Sequence, residues 1–343
     1  MWSRVQSVLY RYVPAHVGNP FALARRMIRS RDRAALLTLL ITALGILCIP
    51  LDLLLSRRER RFVDAAAAAP ARPTIFVCGP ARSGTTLVFQ VLCRHLDVSY
   101  PQNFTALFPH APIVATRAYR RLFGRGQTGP EDYRNYYGKT GRIAGPSEAN
   151  HLWNRWVQPD GTGFRTLLTD AGAREAARYF AAFAEIDRKA VIYKNNNLNV
   201  FADTVAAAMP NALVICLRRS PDFLAQSLLQ ARRDIQGSVS RGYGVRVADN
   251  GWEAADPIAS VCAQVAYLDH RALELASQLG PERFWLVDYE DFCREPGSLI
   301  AAVSERLGIP LQAGTSGSEI TPIRSRNVVR DPAEMERIRR ALG

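Results

Sequence analysis

Lysine is nearly missing from this 343-residue chain: only Lys139, Lys189 and Lys194 stand beside 41 arginines. The six cysteines (Cys48, Cys78, Cys93, Cys216, Cys262 and Cys293) form no C-x-x-C pair. That spacing excludes the common zinc and dithiol motifs, and no His/Cys/acid run has metal-ligand spacing, so no metal is expected. Cys78 and Cys216 sit in apolar runs, where a thiol acts as a small hydrophobe. Reduced thiols and a reducing compartment are the expectation. Internal repeats and long polar tracts are also lacking. With 48% hydrophobic and 22% charged residues, a disordered chain is excluded and a real core is affordable.

Acidic residues are the minority, 31 against 44 basic, for a net charge of +13. The excess is uneven. Residues 1–72 carry 12 arginines and 4 acids, a net of +8; residues 73–343 carry 32 basic and 27 acidic residues, a net of +5. Charge gathered outside the main domain argues against a nucleic-acid binder. The Arg- and Ala-rich composition leans bacterial.

Residues 34–51 form a charge-free apolar run, extended by Leu53, Leu54 and Leu55 beyond Asp52. As a helix its 18 residues reach about 27 Å, marginal against a hydrocarbon core of about 30 Å. Arginines flank both ends: Arg25, Arg26, Arg29, Arg31 and Arg33 before, Arg57, Arg58, Arg60 and Arg61 after. Two basic flanks set no orientation and suit a segment that dips into one leaflet. The expected organisation is a basic region 1–61 with an apolar membrane segment 34–55, an Ala/Pro linker 62–73, and a domain 74–343.

Thr74-Ile75-Phe76-Val77-Cys78 is a β-branched, apolar strand. It runs into Gly79-Pro80-Ala81-Arg82-Ser83-Gly84-Thr85-Thr86, and an apolar helix follows from Leu87 to His95. Strand, glycine loop and helix make an anion cradle, because successive amides and the helix N-terminus point at an oxyanion. The spacing is that of a nucleotide-hydrolysing P-loop, except that Thr85 stands where that class needs lysine. Arg82 supplies the loop's cation instead. These residues resemble the sulfotransferases that use 3′-phosphoadenosine-5′-phosphosulfate (PAPS), whose P-[KR]-S-G-T-T loop holds the 5′-phosphosulfate. Ala81 departs from that pattern, with Pro80 one place early.

A second strand, Ala212-Leu213-Val214-Ile215-Cys216-Leu217, leads to Arg218-Arg219-Ser220-Pro221-Asp222 and a helix carrying Ser227. It resembles the family's 3′-phosphate motif: Arg219 and Ser227 keep the eight-residue interval and Pro221 fits, while Asp222 falls one place early. Lys194 ends the strand-like run Ala190-Val191-Ile192-Tyr193 and resembles the family's strand-end lysine that contacts the transferring group; Asn196 replaces the usual proline. Gly145-Pro146-Ser147-Glu148 resembles the P-x-E segment of the bacterial branch. There Glu148 is either the general base or an acid at a helix N-terminus, and His151 and His110 are further candidates for the base. Asp256 and Pro257 start a helix over 257–279 as cap and first residue. Phe284-Trp285-Leu286-Val287 is a fourth strand, and the Tyr289-Glu290-Asp291 that follows resembles a largely structural family segment. Arg324, Arg326 and Asn327 fall where members bring a basic loop over the nucleotide.

The resemblance implies an α/β, three-layer, P-loop-like domain with a mostly parallel central sheet, beside the N-terminal membrane-associated helix. Gly79, Arg82, Ser83, Gly84, Thr85 and Thr86, with Arg219 and Ser227, would bind PAPS; Arg82, Lys194 and Glu148 would be catalytic. The implied reaction moves a sulfuryl group to a hydroxyl of a lipid-linked, glycan or small-molecule acceptor, with the domain on the cytoplasmic face of a bacterial inner membrane rather than in a Golgi-type lumen. Two other readings stand beside it: a P-loop kinase or NTPase, and a non-catalytic, membrane-attached nucleotide-binding protein.

Overall fold

The computed structural model describes residues 19–66, 69–124, 133, 135–159, 165–245, 255–312 and 320–343. Four strands form one parallel sheet: β1 (Thr74–Cys78), β2 (Val191–Lys194), β3 (Ala212–Arg218) and β4 (Phe284–Asp288), in the order β2-β1-β3-β4. The four expected strands are these, and every pairing among them is parallel. All five residues of β1 are buried, as are Ala212 to Leu217 of β3, which is why they read as unbroken apolar runs rather than alternating ones.

Alternation instead sorts side chains between the sheet's two faces. Phe76, Tyr193, Val214 and Cys216 pack on one face with Trp153, Phe180 and Phe201. Ile75, Val77, Ile192 and Ile215 pack on the other with Val88, Phe89, Leu92 and Ile300. Helices therefore cover both faces, giving the three layers. In a parallel sheet all strands end at one edge, and Gly79, Asn195, Arg219 and Tyr289 follow the four ends there. That edge is where open α/β sheets bind ligands.

The N-terminal region folds as α1 (Pro20–Ser30), α2 (Arg33–Leu47) and α3 (Ile49–Ala65). Residues 34–55, expected as one apolar membrane segment, do not form one helix. The run breaks at Cys48 into two helices bent by 78°, and among the described residues no single helix is long and apolar enough to cross a membrane. Pro50 gives the physical reason: it lacks an N–H and fits the first turn of α3, not the interior of one long helix. Helix α3 also continues through Phe62 and Val63, into the stretch expected as linker, and both pack against the core.

Helix α3 presents two carboxylates seven residues apart, hence on one face. Asp52, fully buried, accepts from the backbone N–H of His110 (3.0 Å) and Ala111 (3.0 Å), and pairs with His110 Nδ1 at 2.7 Å. Glu59 accepts from the N–H of Ile113 and Val114, both 2.9 Å, and from the Tyr179 hydroxyl at 2.7 Å. These amides open α5 (Pro112–Phe123), which follows α4 (Thr85–His95) and has no side-chain cap of its own. Helix α3 thus supplies the missing cap, and negative charge suits that end of the dipole. Glu59→Ala would strand two buried donors and one part-buried donor. It should lower unfolding stability by about 3 kcal/mol in urea titration, with Glu59→Gln milder; an unchanged midpoint would mean the clamp is idle.

Candidate active site

The loop 79–86 leaves β1 at the ligand edge and enters α4. Gly79 has φ 134°, and a Cβ there would lie 2.6 Å from the Leu217 carbonyl oxygen of β3, so only glycine fits between the strands. Gly84 caps α4 against the ring of Tyr289. Arg82 takes the left-handed conformation at φ 75° although it is not glycine, a cost held by the surrounding loop. Ser83 is fully buried and its Oγ has no hydrogen-bond partner among the described residues. An orphaned hydroxyl inside a glycine-built cradle is what an oxyanion would satisfy. Thr86 follows on the first turn of α4. Thr85, at the lysine position of a hydrolytic P-loop, is buried and donates its hydroxyl to Asn196 Oδ1 at 3.0 Å. That bond ties the loop to the end of β2.

The second motif folds against the first. Ser227 lies on Pro221–Ala231, the helix after β3, and Arg82 Nε donates to its Oγ at 3.2 Å. The Arg82 guanidinium lies 4.7 Å from the centre of the Tyr137 ring. Arg219 donates to the Arg82 carbonyl oxygen (2.7 Å), to Asn327 Oδ1 (2.9 Å) and to the Arg326 carbonyl oxygen (3.3 Å), and sits over the Tyr289 ring. Burial pulls its pKa down from the usual arginine range, yet an arginine stays cationic. Asn327 in turn donates to Glu290 Oε1 at 2.6 Å, which also accepts the Ser220 N–H. The resemblance puts Arg82 at the sulfuryl group; here its side chain meets Ser227 and Tyr137, and its carbonyl oxygen accepts from Arg219. Asp222, the residue out of register, instead accepts from Arg339 of the C-terminal helix at 3.0 Å. Arg324 and Arg326 are exposed, and only the backbone of Arg326 meets the cluster.

Lys194 and Glu148, expected on the acceptor side, form an ion pair. Lys194 is 1% exposed at the end of β2, and its Nζ donates to Glu148 Oε1. Burial pushes the Glu148 carboxyl up, but the charges of Lys194 and Lys139 outweigh it and leave the group below the ordinary 4.5. Burial pulls the Lys194 ammonium below 10.5, and Glu148 offsets only part of that. Asn150 Nδ2 donates to Glu148 Oε2 at 3.2 Å. Gly138 presses so close to Glu148 that a Cβ there would overlap the carboxylate. Glu148 is no cap for the short helix Asn150–Trp153: that position belongs to Ala149, in the left-handed region, with no side-chain cap bond. His151 is buried on that turn, and His110 is held by Asp52 of α3.

Four site residues escaped the sequence reading. Asn196 and Glu290 neighbour motif residues and had only adjacency as a signal. Asn327 was noted for its basic loop, not as the partner of Arg219. Tyr137 had no signal at all.

Residues 73–313 match the model of a family described as "Sulfotransferase family". The chain belongs to the sulfotransferase family. No curated protein matches this sulfotransferase. Among solved structures it is similar to the sulfotransferase STF9 from Mycobacterium avium, at 14% identity and a TM-score of 0.52, covering 94% of this chain and 88% of that one. STF1 from Mycobacterium tuberculosis H37Rv gives 14% identity and a TM-score of 0.49, over 91% and 84%. A sulfotransferase from Alicyclobacillus acidocaldarius gives 15% and 0.41, over 80% and 92%. At such identities the likeness to STF9 speaks for the fold alone; the family match carries sulfuryl transfer.

Proposed function

We propose that this sulfotransferase moves a sulfuryl group from PAPS to an acceptor hydroxyl, working at a membrane surface. The observation that carries the donor reading is the joining of two anion sites: the cradle around the orphaned Ser83 hydroxyl, and the Arg82–Ser227–Arg219 cluster bonded to it. A nucleotide phosphorylated at both the 5′ and 3′ positions needs two such sites. The residues present therefore fit PAPS. The bond from buried Thr85 to Asn196 at the P-loop lysine position speaks against a kinase or NTPase.

When bound, PAPS supplies a sulfuryl group on a phosphate leaving group. The amides of Gly79, Ser83, Gly84, Thr85 and Thr86, with the Ser83 hydroxyl, hold the 5′-phosphosulfate. Arg219 and Ser227 hold the 3′-phosphate, and Arg82 bridges the two. Lys194 meets the charge that collects on the bridging oxygen as its bond to sulfur breaks. Glu148 takes the acceptor proton as the acceptor oxygen bonds to sulfur, leaving a sulfate ester and adenosine 3′,5′-bisphosphate (PAP). The acceptor hydroxyl belongs to a lipid-linked, glycan or small-molecule substrate, and the cytoplasmic face, where thiols stay reduced, suits six free cysteines.

PAP should bind the full chain in calorimetry, and radiolabelled PAPS should give transfer. Activity should need Glu148 ionised and Lys194 charged. The kcat/KM profile should fall in acid with a midpoint below 4.5, and in base with a midpoint below 10.5. A chain that neither binds PAP nor transfers label from PAPS would overturn the donor assignment.

A further inference from the structure

Helix α2 is apolar all round, a pattern that belongs to a buried helix. Only four of its fifteen residues are buried. Ala34, Ala35, Ile41 and Gly45 face inward. Leu36, Leu40, Leu44 and Leu47 recur every three or four residues on the opposite side and are exposed, Leu47 at 75%. Beyond the break at Cys48, Leu51, Leu53 and Leu54 continue the exposed apolar surface on α3. Exposed arginines stand at both ends of this bent tip: Arg25, Arg29, Arg31 and Arg33 on the α1 side, Arg57, Arg58, Arg60 and Arg61 on the α3 side. An apolar tip between two cationic collars matches the layered chemistry of one leaflet with anionic headgroups.

The inward face of α2 packs on the 3-10 helix Asn103–Leu107 and on the hairpin formed by Asn135–Tyr136 and Lys139–Thr140. Asn103 stitches these two together, its amide donating to the Thr140 carbonyl oxygen (3.1 Å) and Oγ1 (2.6 Å). The hairpin turn is Tyr137 and Gly138: Tyr137 lies under Arg82 of the donor loop, and Gly138 presses on Glu148. Arg26 of α1 holds the same corner by donating to the carbonyl oxygens of Asp234 (2.9 Å) and Ile235 (2.6 Å), and Tyr137 donates to the Asp234 carboxylate. One hairpin therefore separates the surface-seeking helix from the reacting pair.

Resting on the donor reading above, we infer that the acceptor is a lipid whose headgroup hydroxyl lies at the surface of an anionic bilayer, and that α2 and α3 seat the enzyme there with the hairpin 135–140 as the partition beside Glu148. A lipid anchored in the leaflet would present its hydroxyl at the depth of the arginine collars without leaving the membrane. The acceptor need not be pulled into water.

The test uses the full chain and three readouts. In flotation with phosphatidylcholine vesicles, adding phosphatidylglycerol should raise binding, and Leu40→Asp/Leu44→Asp should lower it about tenfold or more. Reversing one collar arginine, Arg57→Glu, should lower it about fivefold. PAP affinity by calorimetry should be unchanged in these variants. With labelled PAPS, a hexosyl diacylglycerol in anionic vesicles should take at least about tenfold more label than the free methyl hexoside. PAP binding without vesicle binding overturns this inference and leaves the donor reading standing. So does equal labelling of the two hexosides, or no label in the lipid. Absent PAP binding in the parent chain strikes the donor reading instead.

Discussion

Replacing Lys194 by methionine should lower kcat at saturating donor about 10²- to 10³-fold, with a much smaller change in the donor's KM. The ammonium is 1% exposed, so its charge acts in a site that excludes water. Removing one such preorganised donor from a developing oxyanion costs about 10²–10³ in rate elsewhere. The methionine also takes its ion-pair partner from the mostly buried Glu148, leaving Asn150 and the Lys139 charge, at up to about 3–5 kcal/mol of stability, so the single variant alone confounds two effects. The double variant Lys194→Met/Glu148→Gln separates them. It removes both charges, and should recover much of the denaturant midpoint while recovering none of the rate. A parent-like kcat in Lys194→Met would remove Lys194 from the reaction and leave the ion pair as a structural device.

Arg219→Ala should weaken PAP about 10²-fold while leaving adenosine 5′-phosphate within a few-fold. A bound 3′-phosphate would take two charge-assisted hydrogen bonds from the guanidinium fork, about 1.5 kcal/mol or more each, and about 1.4 kcal/mol is tenfold in affinity. The comparison of the two nucleotides is what makes the test specific. Arg219 also braces the loop through the Arg82 carbonyl oxygen, so a purely structural role would weaken both ligands alike. Arg219→Lys should fall between, because a lysine cannot reproduce the fork that reaches Arg82, Asn327 and Arg326 together. Equal losses for the two nucleotides would assign Arg219 to loop support and leave the 3′-phosphate without its cation.

Much of the site was readable because its chemistry is local. A strand ending in glycine and entering a helix is a contiguous signature, and loop 79–86 folds as its spacing demands. Asp256 was legible as a cap for the same reason: it accepts from the Ile258 and Ala259 amides two and three residues away. Glu148 was not settled by sequence, since Ser147-Glu148 before a short helix reads equally as a cap. The structure places its carboxylate against Lys194, 46 residues away, and gives the cap position to Ala149. The contacts of the Arg82 side chain are illegible in sequence for a similar reason. Its partners Ser227 and Tyr137 lie 145 and 55 positions away, and no spacing rule reaches them.

By itself the sequence determined the parallel sheet, the anion loop and the identity of the cations, because apolar run length, glycine placement and residue type act over a few neighbouring positions. The scarcity of lysine already singled out Lys194. Tertiary structure decided what those groups touch. It broke the 34–55 run at Cys48, turned Asp52 and Glu59 into caps for a distant helix, and set the hairpin 135–140 between α2 and Glu148. Those outcomes depend on which surfaces meet when helices pack against a sheet, and burial then makes each polar group find a partner wherever in the chain one lies.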